Sequence, residues 1–168
     1  VTDTLATARL TLRPRIADDA EALFATMPDA GVMHWWSRAP FATLDELRGY
    51  FAGESARSRA WAVTRTGDDR AIGFVAASDR RVDVSEIGYL FARDSWGTGV
   101  AQEAVAAVIA LLFAEGRRRL FADTDPDNAA SIGLLERLGF ALEGRLRAEW
   151  ETHIGVRDSL IYGLLRPL

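Results

Sequence analysis

A run of residues suited to holding an anion sets the chemistry of this chain. Ser95-Trp96-Gly97-Thr98-Gly99-Val100-Ala101-Gln102-Glu103-Ala104 follows a β-branched and aromatic stretch, Glu86-Ile87-Gly88-Tyr89-Leu90-Phe91. It leads into a segment where Val100, Ala104, Val105, Val108, Ile109, Leu111 and Leu112 recur at helical spacing. Strand, glycine turn and helix in that order aim free backbone N–H groups and the positive end of a helix dipole at an anion. Two glycines one residue apart let a large anionic group approach the main chain without Cβ clashes. A phosphate-bearing ligand is the first expectation.

The elements around this turn read as one mixed α/β domain over residues 1–168. Arg9–Arg13 alternates and ends at Pro14, as a first strand does. Asp18 or Asp19 can cap a helix carrying Ala20, Leu23, Phe24 and Met27, closed by Pro28. Thr43 and Glu46 form a capping-box pattern ahead of Leu44, Leu47, Tyr50 and Phe51. Ala60–Thr64 and Ala71–Val75 read as a hairpin around Thr66–Arg70. Val84–Phe91 is the next strand, followed by the glycine turn, a helix to about Gly116 and a short strand Leu120–Thr124. A helix from Asn128 to Leu138 stops at Gly139, and Phe140–Leu146 and Ser159–Leu165 read as the last two strands. The sheet expected is mixed, of about seven strands, with flanking helices. The unit Val84–Phe91, helix, Leu120–Thr124 is its parallel, right-handed crossover, with the ligand at the carboxyl ends of the strands.

Composition narrows the chemistry. The 49% hydrophobic and 26% charged fractions suit a soluble globular chain, and charged residues interrupt every apolar stretch before it reaches membrane-spanning length. With no cysteine, disulfides, thiolate zinc sites and a cysteine nucleophile are excluded. His34 and His153 stand far apart with no third ligand nearby, so no metal is expected. The N-terminal residues lack the pattern of a signal peptide, which fits a cytoplasmic protein with no membrane partner. A net charge of -4 argues against nucleic acid and favours cationic partners such as amines. All 20 basic residues are Arg, which rules out a Schiff-base lysine and the lysine of a Walker loop. The dinucleotide fingerprint fails too, because Gln102 stands where a third glycine is needed.

A third reading fits. Trp96-Gly97-Thr98-Gly99-Val100-Ala101 resembles the pyrophosphate loop of the GNAT superfamily of acyl-CoA-dependent N-acetyltransferases, with Gly99 and Ala101 in place and Trp96 a departure at the first position that one branch shares. Downstream, Asp125–Ser131 followed by Leu134–Phe140 resembles the second CoA-contacting segment, Asn-x-x-Ser or Ala, a short helix, then Gly-Phe. Asn128 is the only Asn in the chain. Arg9–Pro14, Glu86–Tyr89, Trp96–Gly99, Gln102–Ala104, Asn128, Ser131, Leu138–Phe140, Glu143-Gly144 and Asp158 together resemble the RimJ/RimL-like branch, which acetylates ribosomal-protein N-termini.

The resemblance implies a GNAT fold and an acetyl-CoA donor. The N–H groups of Gly97, Thr98, Gly99, Val100 and Ala101 would hold its pyrophosphate, with Trp96 and Gln102 beside it. Asn128 would contact the pantetheine arm and Ser131 would lie near the thiol. Tyr89, Leu90 and Phe91 would line the donor, with backbone donors near Tyr89 and Leu90 polarising the thioester carbonyl. Glu86 is the candidate base, with Glu149 and Asp158 behind it. Position 135, where many members carry an acidic Tyr, is Leu, so Ser131 or water must serve the leaving thiolate. His34, Trp35, Trp36 and Trp150 border the expected acceptor site, although each Trp equally suits core packing. Glu103 reads as a solvated first-turn residue favouring the dipole.

The activity implied is transfer of an acetyl group to a primary amine, either a protein or peptide N-terminus or a small molecule, by direct attack in a ternary complex. A silent CoA-binding sensor, or a transferase using succinyl-CoA with Arg38 or Arg93 beside the thioester, are the alternatives. Relatives suggest a homodimer, with an exposed apolar patch expected near Trp35–Phe41.

Overall fold

The computed structural model describes residues 3–27, 29–53 and 56–167, so Pro28 lies outside the described residues. Among the described residues, eight strands form one sheet in the order β1-β2-β3-β4-β5-β6-β8-β7: β1 (Leu5–Ala6), β2 (Leu10–Pro14), β3 (Ser58–Arg65), β4 (Ala71–Arg81), β5 (Val84–Phe91), β6 (Arg119–Thr124), β7 (Ala141–Thr152) and β8 (Gly155–Leu165). Four described α-helices flank it: α1 (Asp19–Leu23), α2 (Leu44–Ala52), α3 (Val100–Ala114) and α4 (Ala129–Arg137). All neighbouring strands run antiparallel except β5 and β6, the pair joined through α3.

Alternation decides which face each side chain takes. Val75, Ala77, Ile87, Phe91, Leu120 and Ala122 pack beneath α3 and α4 in the larger core. Val100, Ala104, Val105, Val108 and Leu112 bring the fully buried stripe of α3 onto it. Phe74 and Leu90, one position out of phase, join Leu23, Met33, Phe41, Leu47 and Phe51 in a second core under α1 and α2. The sheet is therefore covered on both sides, and the crossover helix lies on the face that holds the larger core.

The strand count exceeds the expected seven because Leu5–Ala6 forms a two-residue edge strand, too short to leave a periodic trace. The last two strands are much longer than expected and form a hairpin closing at Thr152–Gly155. Leu146 pairs with Ser159 and Trp150 with Arg157, so three residues of β7 oppose Asp158 alone. That bulge puts Ala148 at a left-handed φ of 52°, with its N–H donating to the Asp158 carboxylate, which also takes Arg145. Asp158 thus holds the hairpin together.

Other local expectations divide. Thr43 Oγ1 accepts the Glu46 N–H at 3.1 Å, as in a capping box, and Glu46 reaches back to the N–H of Ala42, one residue before the cap. At α1, Asp18 makes no side-chain cap and Asp19 is buried, clasped by Arg13 and accepting the Ile16 N–H. The apolar patch expected at Trp35–Phe41 is absent: Phe41 is buried and Trp36 packs against the second core. Large exposed apolar side chains sit instead on the hairpin, at Leu142, Leu146, Trp150, Val156 and Leu165. No described helix is long and apolar enough to cross a membrane.

Leu120 lies fully buried at the middle of the sheet, beside the point where β5 and β6 part. Leu120→Ala should lower unfolding free energy by about 2–5 kcal/mol through lost burial and an unfilled cavity, read from urea denaturation midpoints.

Candidate active site at the parting of two parallel strands

β5 and β6 pair only at Val84↔Arg119, Ser85↔Leu120 and Glu86↔Phe121. β5 then continues to Phe91 and β6 to Thr124 without pairing to each other. Along β5, hydrogen bonds alternate between neighbours. Asp83 accepts from the chain entering β6, and Ala92 donates to Ile72 on the β4 side. The N–H and C=O of Ile87, Tyr89 and Phe91 therefore turn into the gap, while those of Leu90 turn to β4. The Phe91 carbonyl is met by the Trp96 indole N–H at 2.9 Å, which ties the glycine turn to the strand end.

That turn is built as the sequence suggests. A 3-10 turn at Arg93–Ser95 precedes it, and Thr98 Oγ1 donates to the Ser95 carbonyl at 2.6 Å. Gly97 and Gly99 have φ of 72° and 79°, the left-handed region where a side chain strains the backbone. Gly99 is the N-cap of α3 and no side chain caps the helix, so the first N–H groups of α3 lack intrahelical partners. A Cβ on Gly97 would meet only open space. The residues Gly97 to Ala101 are thus suited to a pyrophosphate: free donors, a dipole and an open approach.

One partner of this turn is not legible locally. Glu103 is not a solvated first-turn residue: it accepts from Thr7 Oγ1 at 2.6 Å, the Arg9 N–H at 2.9 Å and Arg9 Nε at 2.7 Å. These bonds, the Thr7 hydroxyl foremost, hold its carboxyl below the usual range. Arg9 Nη1 also donates to the Thr98 carbonyl at 3.0 Å, so a half-exposed guanidinium stands against the turn. Gln102 is exposed beside it.

Across the gap, Asn128 caps α4 by accepting the Ser131 N–H at 3.2 Å. The Ser131 hydroxyl lies 2.8 Å from the Tyr89 hydroxyl. Burial pushes the Tyr89 phenol up to about 12, against a smaller opposing effect of the Ser131 contact. Leu135 is fully buried in the larger core, offering no polar group toward the gap.

The opposite face holds the remaining candidates. Glu86 stands at the last β5–β6 pair, and Arg80 Nε donates to its carboxylate at 2.6 Å. By alternation it shares a face with Leu90, away from α3 and α4. Asp123, which sequence reasoning missed, lies on that same face beyond the parting point. It accepts the Trp150 indole N–H at 2.8 Å and the Ser159 hydroxyl. A lone Asp in a short strand reads as solvated; its placement out of phase with Leu120 and Ala122 is the trace that marks it. Arg157 pairs with Asp125 and Asp127 and lies 5.8 Å from the Trp35 ring, which in turn packs edge-on against His34 at 4.4 Å. His34, Trp35 and Trp150 thus gather near the carboxyl end of β6. Trp36 instead packs on Phe74 and Tyr50. Among the described residues, no cluster of three His, Cys, Asp or Glu is placed to hold a metal.

The family of the acetyltransferase (GNAT) domain matches residues 9–141. The uncharacterized N-acetyltransferase p20 of Bacillus licheniformis is 30% identical over 172 residues, covering 98% of this chain and 97% of that protein. The chain belongs to the GNAT acetyltransferases. In fold it is similar to the GNAT-family acetyltransferase from Bacillus anthracis, with a TM-score of 0.88 at 23% identity, covering 98% of this chain and 99% of that one. It is also similar to the Salmonella typhimurium acetyl transferase that modifies the N-terminal serine of ribosomal protein L7/L12, with a TM-score of 0.86 at 17% identity over 97% and 99% of the chains. GNAT enzymes move an acyl group from an acyl-CoA to an amine, and the turn at Gly97–Ala101 has the donor chemistry that a CoA pyrophosphate needs.

Two measurements bear on this geometry. Gly99→Val, which forces a branched side chain into a left-handed φ beside Arg9, should weaken CoA binding at least tenfold in calorimetry while the thermal unfolding transition persists. In an ultraviolet pH titration, Tyr89→Phe should remove a phenol step near 12 and leave the remaining tyrosine signal unchanged. Because the folded-state value is raised, the stability gained by keeping this phenol neutral is present below about 10 and lost as pH climbs toward about 12.

Proposed function

We propose that residues 1–168 form a single cytoplasmic domain that transfers an acetyl group from acetyl-CoA to a primary amine in a ternary complex. The observation that carries this reading is the gap between β5 and β6: the N–H cradle of α3 and the Ser131 hydroxyl lie on one side of the sheet, and Glu86 and Asp123 on the other. A donor laid along the first face and an amine arriving from the second meet only through that gap. Much of the rate would then come from holding the two in register.

In this reading Gly97–Ala101 bind the pyrophosphate, Asn128 steers the pantetheine arm, and an N–H of Tyr89 or Phe91 polarises the thioester carbonyl. Glu86 takes the proton of the attacking amine, directly or through water. Ser131 donates a hydrogen bond to the sulfur as the C–S bond breaks. Trp35, Trp150 and His34 border the acceptor. Acetyl-CoA is preferred over succinyl-CoA because Arg38 and Arg93, the cations considered for a second carboxylate, are engaged by Glu46 and Asp29. The RimJ/RimL-like sequence features, and the fold likeness to an enzyme that modifies an N-terminal serine, support a peptide N-terminus as acceptor alongside small primary amines.

Thiol release should be measured with acetyl-CoA and succinyl-CoA across a panel of small amines and peptides with free N-termini. Acetyl-CoA should give amine-dependent release, and Glu86→Gln should lower kcat by about 10²–10⁴-fold, the range of a lost general base. Tight CoA binding without turnover for any amine would overturn the enzymatic reading in favour of a sensor.

A further inference from the structure

Ser131 can serve the leaving sulfur only if its hydroxyl hydrogen points toward it. A serine hydroxyl rotates freely unless its surroundings choose an orientation. Its backbone N–H is already taken by Asn128, which settles the helix turn but not the side-chain proton. Among the described residues, the side-chain partner of Ser131 Oγ is Tyr89 Oη at 2.8 Å. Tyr89 is on β5 at the parting of the strands, with its side chain on the α3 and α4 face against the larger core.

We propose that Tyr89 is a positioning residue: its phenol donates to Ser131 Oγ and thereby aims the Ser131 O–H at the sulfur of the acyl donor. This rests on the role given to Ser131 above. The direction of the bond follows from acidity. A phenol is a far stronger donor than an aliphatic alcohol, so when the two oxygens share one contact the phenol supplies the hydrogen. Ser131, having accepted, keeps its own hydrogen for an outward bond. Burial keeps the phenol neutral across the working range, so the donor is always present.

The same facts argue against Tyr89 as the proton source. Its phenol ionises at about 12, whereas an alkyl thiol has a pKa of ~8.5, so passing a proton from phenol to thiolate runs uphill by several powers of ten. The reaction balances without that step. The amine nitrogen bonds to the carbonyl carbon, the C–S bond breaks with its electron pair on sulfur, and the amine proton leaves to Glu86 or water. The thiolate departs as an anion held by the Ser131 hydrogen bond. With Leu135 buried and apolar, the Ser131 hydroxyl is the group on α4 left to face the sulfur, and Tyr89 orients it.

A double-mutant cycle tests this, using steady-state kinetics with acetyl-CoA and an accepted amine. Tyr89→Phe should lower kcat about tenfold, the worth of one hydrogen bond, with the KM for acetyl-CoA and CoA affinity unchanged. Ser131→Ala should lower kcat at least as much, and Tyr89→Phe should cost nothing further on the Ser131→Ala background. Both losses should shrink with an acetyl thioester of an acidic aryl thiol, whose sulfur needs less help to leave. Wild-type kcat in Tyr89→Phe beside an impaired Ser131→Ala would overturn the role of Tyr89 and leave that of Ser131 standing. Equal losses from Tyr89→Phe with and without Ser131 would mark Tyr89 as merely structural and overturn it as well. An unimpaired Ser131→Ala would overturn both roles at once.

Discussion

Two parallel strands that stop pairing inside a sheet leave backbone donors and acceptors facing each other across a gap, and those groups must find other partners. Here the last pair is Glu86↔Phe121, and everything of chemical interest is arranged around the opening beyond that pair. The larger core under α3 and α4 and the second core under α1 and α2 cover the strands on either side of the gap from both faces. One exposed acceptor, the Phe91 carbonyl, is satisfied by Trp96 and so fastens the glycine turn to the end of β5. The rest of the β5 edge beyond Glu86 faces the gap without pairing to β6.

The electrostatics of the turn depend on chain segments far apart in sequence. A carboxylate in the first turn of α3 complements the helix dipole but would repel a phosphate at the same helix end. Glu103 is instead hydrogen-bonded by Thr7 and paired with the Arg9 cation, which offsets its charge. Arg9 also reaches the Thr98 carbonyl, so the ion pair adds a cation to the cradle and fixes its backbone. The pair is partly exposed, and its worth lies more in geometry than in stability.

The face that carries Asp123 is shaped by the long β7–β8 hairpin. Its bulge, with Ala148 in a left-handed conformation and Asp158 gathering Arg145 and the Ala148 N–H, swings Trp150 onto Asp123. Arg157 then ties the same hairpin to Asp125 and Asp127 just ahead of α4. Asp125 is held below the usual carboxylate range chiefly by Arg157, so this clasp is ionic over the whole neutral range.

The features legible in the residue order were local and periodic. β5 runs Val84–Phe91 as its residues suggest, Gly97 and Gly99 take the positive φ that two glycines permit, and Asn128 caps α4 as its position before Ala129 implies. Each of these depends on interactions within a few residues, which leave a trace in spacing. Leu5–Ala6 and the outer half of β7 left none, since one is two residues long and the other is exposed on both faces with little alternation to read. Folding in three dimensions was needed to establish that β5 and β6 part after Glu86 and that Glu103 serves Arg9 and Thr7. It also sends Trp36 inward while Trp35 meets Arg157, and sets Asp123 and Tyr89 facing the gap from opposite sides. These are contacts between residues tens of positions apart, and one sequence records the residue types but not the pairings that strand order and register impose.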